Sequence, residues 1–261
     1  MKPILFSFFG VKILSYTVFS FLAIIASIFY IIKNLQKQKI EIDYFDYLFW
    51  TILFGALGSK IIYIVLYPNQ FDFSIFYSGG AVSWGGIFFG CIAAILYLKK
   101  HHLPISKILD ISIFGLFIGI AIGRIGSFLN GDGYGKITDL WIGVKIPKVD
   151  LSPRYPAEIF ESMALIILLI TLYLIKKKQK LQTPGLISLI IFSFYFMIRF
   201  INDFFKDNFH RYCGLTFNQI FCLFGIGVII IFIIWRKHGF WSESRFFKST
   251  KRKIRKKFEK T

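Results

Sequence analysis

Ile13–Ile32 reads "ILSYTVFSFLAIIASIFYII", twenty residues without a charge. A helix of about 20 apolar residues is long enough to cross the hydrocarbon core of a bilayer. Comparable runs recur along the chain, whose 261 residues are 56% hydrophobic with a mean hydropathy of +0.62. A segment inside lipid must satisfy its own backbone hydrogen bonds, so these runs read as helices. The short alternating segments of a membrane barrel are absent. The expected fold is therefore an all-α integral membrane protein. The first run lacks a basic leader and a small-residue cleavage site, and is read as a retained span.

Seven spans are expected, at about 12–32, 45–67, 80–98, 108–129, 156–175, 184–205 and 216–235. Lys60 interrupts the second and Arg199 the sixth. The loops alternate in charge. The loops after spans one, three and five and the segment after Trp235 together hold twenty-one of the 32 Lys and Arg residues. Lysine and arginine bias sets orientation, which places those segments in the cytoplasm and the N-terminus outside. The organisation expected is a membrane domain over 1–235, with a small extracytoplasmic loop at about 130–155, and a basic cytoplasmic tail over 236–261. Within that loop Trp141–Ile146, "WIGVKI", alternates weakly and suggests a short strand. The tail reads as an anchor for anionic lipid. The net charge of +18 follows largely from topology and calls for no nucleic-acid partner. Cys91, Cys213 and Cys222 have no metal-ligand or CxxC spacing, and no metal or cofactor is expected.

With orientation fixed, depth becomes legible. Arg124 falls near the outer end of span four, and Arg199 and Asp203 near that of span six, on a helical face shared with Tyr195 and Lys206. Tyr16, Glu158, Glu161, Asn218 and Gln219 open outward-starting spans, "GGAVSWGG" (Gly79–Gly86) opens span three, and Lys60 lies somewhat deeper. Ionisable groups within spans are costly, and usually face an interior or a water-filled cavity. Plainer readings exist for each piece alone. Arg124 can snorkel to the headgroups. Arg199 and Asp203 have the i, i+4 spacing of an intrahelical pair. Glu158 and Glu161 favour a helix N-terminus, and the glycines of Gly79–Gly86 suit close helix packing. Their shared depth is what those readings leave unexplained. It points to a polar cavity open to the outer leaflet. Arginine is suited to bidentate phosphate contact, and glycines around Asn130 would let backbone N–H groups approach an anion. A phospholipid headgroup fits such a site.

Gly123–Gly135, "GRIGSFLNGDGYG", resembles the signature G-R-x-G-N-F-x-N-x-E-x-x-G of the prolipoprotein diacylglyceryl transferase family. Gly123, Arg124, Gly126, Phe128, Asn130 and Gly135 match; Ser127 and Asp132 replace an asparagine and a glutamate. Further pieces follow in the family's order. "KILSYT" resembles its tyrosine-bearing first span and gives Tyr16. "LGSKIIY" resembles G-x-R-x-x-Y, with Lys60 for arginine. "GGAVSWGG" resembles G-G-x-x-x-H-G-G, keeping Gly85 and Gly86 but with Trp84 for histidine. "RYPAEIFE" resembles H-P-x-Q-x-Y-E, keeping Pro156 and Glu161, with Tyr155 and Glu158 substituted. "YFMIRFINDFFK" resembles Y-x-x-x-R-F-x-x-E-x-x-R, keeping Tyr195, Arg199 and Phe200, with Asp203 and Lys206 as milder changes. "GLTFNQ" resembles G-L-[ST]-x-x-Q. The resemblance runs from Tyr16 to about Gly227.

The resemblance implies a multi-pass protein of the bacterial cytoplasmic membrane. Its expected reaction moves the diacylglyceryl group of phosphatidylglycerol to the lipobox cysteine of a prolipoprotein, recognised with its signal peptide, and releases glycerol phosphate. The thiol nucleophile belongs to the substrate. Arg124 and Arg199 are expected to hold the phosphate and stabilise charge on the leaving group. Tyr16 is expected to orient the lipid. Trp84 has no basic atom, so thiol deprotonation falls to Asp132, Asp203 or Glu158, or to the arginine field itself. Asn130, Gly126, Gly135, Lys60, Tyr195, Glu158, Glu161, Gly85 and Gly86 are the expected substrate-binding positions. The substitutions at Trp84, Ser127, Tyr155 and Lys60 keep two alternatives open: another phospholipid-headgroup transferase with a different acceptor, and a non-catalytic lipid-binding relative.

Overall fold

A computed structural model describes residues 3–8, 11–67, 82–177, 183–207 and 214–237. Gly79–Ala81, His210, Cys213 and nearly all of the basic tail lie outside them. The chain begins with an antiparallel hairpin, β1 (Ile4–Phe8) and β2 (Val11–Leu14). Four helices follow: α1 (Ser15–Lys37), α2 (Tyr44–Leu66), α3 (Ser83–Lys100) and α4 (Ile105–Asn130). A second hairpin, β3 (Val144–Ile146) and β4 (Asp150–Arg154), precedes α5 (Ala157–Lys177), α6 (Leu186–Asn202) and α7 (Phe217–Lys237).

Five of these helices are long and apolar enough to cross a membrane: α1, α2, α4, α5 and the Phe217–Trp235 part of α7. Among the other two, α6 is a shorter apolar helix and α3 ends in Lys99 and Lys100. The protein is thus helical with several candidate membrane spans. Strand β3 takes up the VKI end of the stretch expected to form a strand.

Two of the boundaries that depart from expectation have a visible cause. The first apolar run does not enter its helix at residue 12. Val11–Leu14 pairs with β1, and the Ser15 N–H donates to the Pro3 carbonyl at 2.8 Å, so α1 starts at Ser15. Hydropathy does not separate a short apolar strand from the helix it feeds. Helix α6, expected to reach 205, ends at Asn202. Phe204 and Phe205 donate to Ile201 and Asn202, tight turns that swing Lys206 back towards α5.

Helix α4 is the centre of the bundle and touches α1, α3, α5 and α6. Small residues set the closest approaches. Gly115 and Gly119 face Ile31 and Ser27 of α1, and Gly126 faces Phe19. Helices α2 and α3 meet at Gly55, Gly58, Gly85, Gly86 and Gly90, where a Cβ on Gly85 would run into the Gly58 carbonyl and Ile62. Backbone approach of this kind is how helices associate without a hydrophobic driving force. Gly85→Val is expected to force α2 and α3 apart at a cost of about 1–3 kcal/mol. A lower thermal midpoint in detergent checks it; an unchanged midpoint contradicts this packing.

At the opposite end of α4 from Asn130, the buried Asp110 carboxylate holds the start of α6. The backbone N–H groups of Gly185 and Ser188 donate to it at 2.7 and 2.8 Å, and the Ser188 hydroxyl at 2.6 Å. Gly185 takes φ +83°, a left-handed conformation that glycine adopts without strain. A carboxylate at a helix N-terminus meets unpaired N–H groups and the positive end of the helix dipole.

Candidate functional site

The ends of α3, α4, α5, α6 and α7 converge on one charged network. Glu158 and Glu161 stand one turn apart near the start of α5, both buried at 3% and 0% exposure. The Arg124 Nη1, near the end of α4, donates to Glu158 Oε2 at 2.8 Å, and its Nε lies 2.9 Å from Glu161 Oε1. One guanidinium thus bridges two carboxylates. Arg199, on α6, donates from Nη1 to Glu161 Oε2 at 2.8 Å, and Asn202 donates to the same oxygen at 3.3 Å. Lys206 Nζ donates to Glu158 Oε1 at 2.6 Å. Three cations therefore surround two carboxylates, a net positive cluster where isolated buried charge would be costly. Tyr195 lines the same cavity as Arg124.

The intrahelical pair that the Arg199–Asp203 spacing allows is not what forms. Because α6 closes at Asn202, Asp203 turns towards α7 and accepts from the Thr216 hydroxyl and from Asn218 Nδ2, the latter at 3.4 Å. Arg199 reaches across to α5 instead. Nor does Arg124 snorkel freely, since α5 carboxylates hold it.

Thr216 is a residue the sequence reading missed. Its Oγ1 accepts from the Gln219 N–H at 3.2 Å, while the Gln219 side-chain oxygen accepts from the Thr216 N–H at 3.0 Å. This reciprocal pair is a capping box for α7, and the T-x-x-Q pattern was its sequence signal. Asn202 was missed too, and nothing in its spacing marked it. Thr216→Ala removes the cap and the donor to Asp203 together. It is expected to cost about 1–2 kcal/mol, seen as faster amide exchange in the first turn of α7.

The loop after α4 behaves differently from expectation. Gly131, at φ +79°, ends the helix: its N–H donates to Phe128 and that of Asp132 to Ser127, a Schellman pattern. The Gly135 N–H donates to the Tyr155 carbonyl at 3.1 Å. These N–H groups are committed within the protein, which corrects the reading that they face an anion. Gly133 and Gly135 let the loop press on Glu158, Tyr155 and Phe205. Asn130 donates to Asp132 at 2.5 Å and Lys148 joins the same carboxylate at 2.8 Å, at the surface and apart from the buried pairs. Gly85, Gly86 and Gly126 sit at helix crossings. Lys60 lies part-buried on α2.

Arg154, also unforeseen, ties this outer layer together. It pairs with Asp150 at 2.6 Å and Asp207 at 2.7 Å, donates to the Gly135 carbonyl at 3.0 Å, and faces the Tyr134 ring. The hydrogen bonds from Arg154 hold the Asp150 carboxyl below its ordinary range. That tie is present above about pH 4 and is lost as pH falls through the depressed value.

Arg124 and Tyr195 also head a cavity of about 470 Å³ between α1, α2, α3 and α4. Tyr16 and Ser127 line it beside Arg124, and Gly86 borders it further along. Its remaining walls are mainly apolar, with Ile24, Ile52, Ile113 and Leu116 among them. The lining residues of α4 run from Leu109 to Ser127, roughly 27 Å of helix. Of the expected residues, the structure gathers Arg124, Arg199, Glu158, Glu161 and Tyr195 into one site. Tyr16 stands at the cavity edge, Asp203 next to the network through α7, Asn130 at the end of α4, and Asp132 and Gly135 in the loop after it.

The family model described as prolipoprotein diacylglyceryl transferase matches residues 3–235. Among similar proteins are the phosphatidylglycerol–prolipoprotein diacylglyceryl transferases of Rickettsia rickettsii and Rickettsia conorii. Each is 30% identical over 218 residues, covering 79% of this chain and 84% of the relative. That of Rickettsia bellii is 29% identical, covering 79% and 83%. A cationic cluster over a long apolar cavity, and a match across nearly the whole length, agree on one conclusion: the chain belongs to the prolipoprotein diacylglyceryl transferase family.

Proposed function

We propose that this protein transfers the diacylglyceryl group of phosphatidylglycerol to the lipobox cysteine thiol of a prolipoprotein. The observation that carries the reading is Arg124, set at one end of a long apolar cavity and within a cluster of net positive charge. The cavity takes the acyl chains and the cations take the phosphate. In the reaction the substrate sulfur attacks the glyceryl carbon bonded to the phosphate oxygen. A C–S bond forms, the C–O bond breaks, and its electron pair leaves on glycerol phosphate. Arg124 and Arg199 stabilise that developing charge, as preorganised cations do. Tyr16 and Tyr195 orient the lipid at the cavity head.

The arginine field is the favoured means of activating the thiol. Glu158 is held by Arg124 and Lys206, and Asp203 accepts from Thr216 and Asn218. Neighbouring cations lower a thiol pKa and so raise its thiolate fraction. Asn130, at the end of α4, and Asp132 and Gly135, in the loop after it, receive the incoming signal peptide.

All seven helices cross the bacterial cytoplasmic membrane, with the N-terminus outside. Support comes from the alternation of ends: the site draws on the starts of α1, α3, α5 and α7 and on the far ends of α4 and α6. The basic charge after Trp235, nearly all of it outside the described residues, suits anionic lipid on the cytoplasmic side.

Complementation tests the activity. The chain is expressed in a bacterium depleted of its own transferase, and a model prolipoprotein is followed by mass. A diacylglyceryl increment on the lipobox cysteine is expected. Unmodified prolipoprotein beside correctly inserted protein would overturn the proposal.

A further inference from the structure

Trp84 occupies the first turn of α3, 5% exposed, in a box made by α6 and α7. Its ring lies 5.4 Å from that of Phe196 at an interplanar angle of 18°, 4.7 Å from Phe221 and 5.4 Å from Tyr195. Core filling accounts for these neighbours. It does not account for two others. The Arg199 guanidinium stands over the indole face, 5.8 Å from the centroid. The indole N–H donates to Asn218 Oδ1 at 3.4 Å, and Asn218 in turn donates to Asp203.

The consequence is in how Arg199 divides its valences. One Nη is committed to Glu161, whereas Nε has no hydrogen-bond partner among the described residues. An aromatic face attracts a guanidinium through its quadrupole and uses up no N–H donor. A carboxylate or amide in the same place would take one. Trp84 therefore fixes the plane of Arg199 while leaving donors free, and Asn218 fixes the indole.

We infer that Trp84 is a positioning residue for Arg199, setting the guanidinium on the substrate phosphate. This rests on the transfer reading above. It makes the aromatic substitution at this position a working part of the site, acting through orientation of a cation and not through proton transfer.

The test is a double-mutant cycle on the full chain in detergent containing phosphatidylglycerol. Trp84→Phe keeps a ring but weakens its face and removes the N–H; Arg199→Gln removes the cation. Both kcat and KM are measured for the two single variants and the double variant, with unfolding midpoints. Phe221→Leu, which removes another ring packed against the indole, is the packing control. Trp84→Phe is expected to lower kcat about tenfold with little change in the KM for prolipoprotein. In the Arg199→Gln background it is expected to change the rate less than twofold, while Phe221→Leu has the same effect in both backgrounds. An equal loss from Trp84→Phe in both backgrounds, or coupling of Phe221→Leu as large as that of Trp84→Phe, overturns the inference. The cycle is read in parallel as phosphatidylglycerol retained by the purified protein in native mass spectrometry. A wild-type chain that transfers nothing then counts against the transfer reading alone, and the retention cycle still decides the role of Trp84.

Discussion

Arg124→Ala is expected to lower diacylglyceryl transfer by at least about 10²–10³-fold, the range seen when one preorganised donor is removed from a site of developing charge. Among the described residues, no other cation both pairs with Glu158 and Glu161 and lines the cavity. Arg124 spans Glu158 and Glu161 through different nitrogens and, with Tyr195, borders the cavity. Arg124→Lys is expected to recover little, because an ammonium presents a point charge where the guanidinium presents a planar fork. Prolipoprotein mass, measured at matched levels of folded protein, is the readout. A loss of tenfold or less would remove Arg124 from the reaction.

Glu161→Ala is expected to be the most damaging change to stability, by about 3–5 kcal/mol, the usual cost of breaking a buried ion pair from one side. Glu161 is fully buried and stands between Arg124 and Arg199. Without it, two guanidinium groups face each other across α4 and α6, and Lys206 adds to their repulsion. Glu161→Gln retains the shape and an acceptor, so it should fall between. Thermal unfolding in detergent orders the three proteins. A midpoint for Glu161→Ala equal to that of the wild type would mean that the cluster does not hold these helices together.

Depth was the most informative quantity in the sequence. Charge bias oriented the spans, orientation brought Arg124, Arg199, Glu158 and Glu161 to one level, and the fold joins them. Pairing was not legible in the same way. Arg199 and Asp203 have ideal spacing for an intrahelical pair, yet a helix end one residue before Asp203 redirects both. Glycines were ambiguous for a related reason. Gly85, Gly86 and Gly126 could serve a ligand's approach or a neighbouring helix, and only the position of that helix separates the two. The N-terminal hairpin was hidden because Val11–Leu14 is as apolar as the helix behind it. In Thr216-x-x-Gln219 the signal was present and its meaning local: a cap that also orders Asp203.

Helix α6 is held at both ends, by Asp110 at Gly185 and Ser188 and by Glu161 at Arg199 and Asn202. About 20 Å of helix separates the two attachments. Turning α6 about its axis, or sliding it by a fraction of a turn, would break contacts at both ends at once. The height and bearing of Arg199 are therefore gauged by a carboxylate at the other end of α6. Inherited changes at Asp110 or Ser188 would detune the reaction without touching a reacting atom, and the lesion would look like a poor enzyme in an otherwise intact membrane protein.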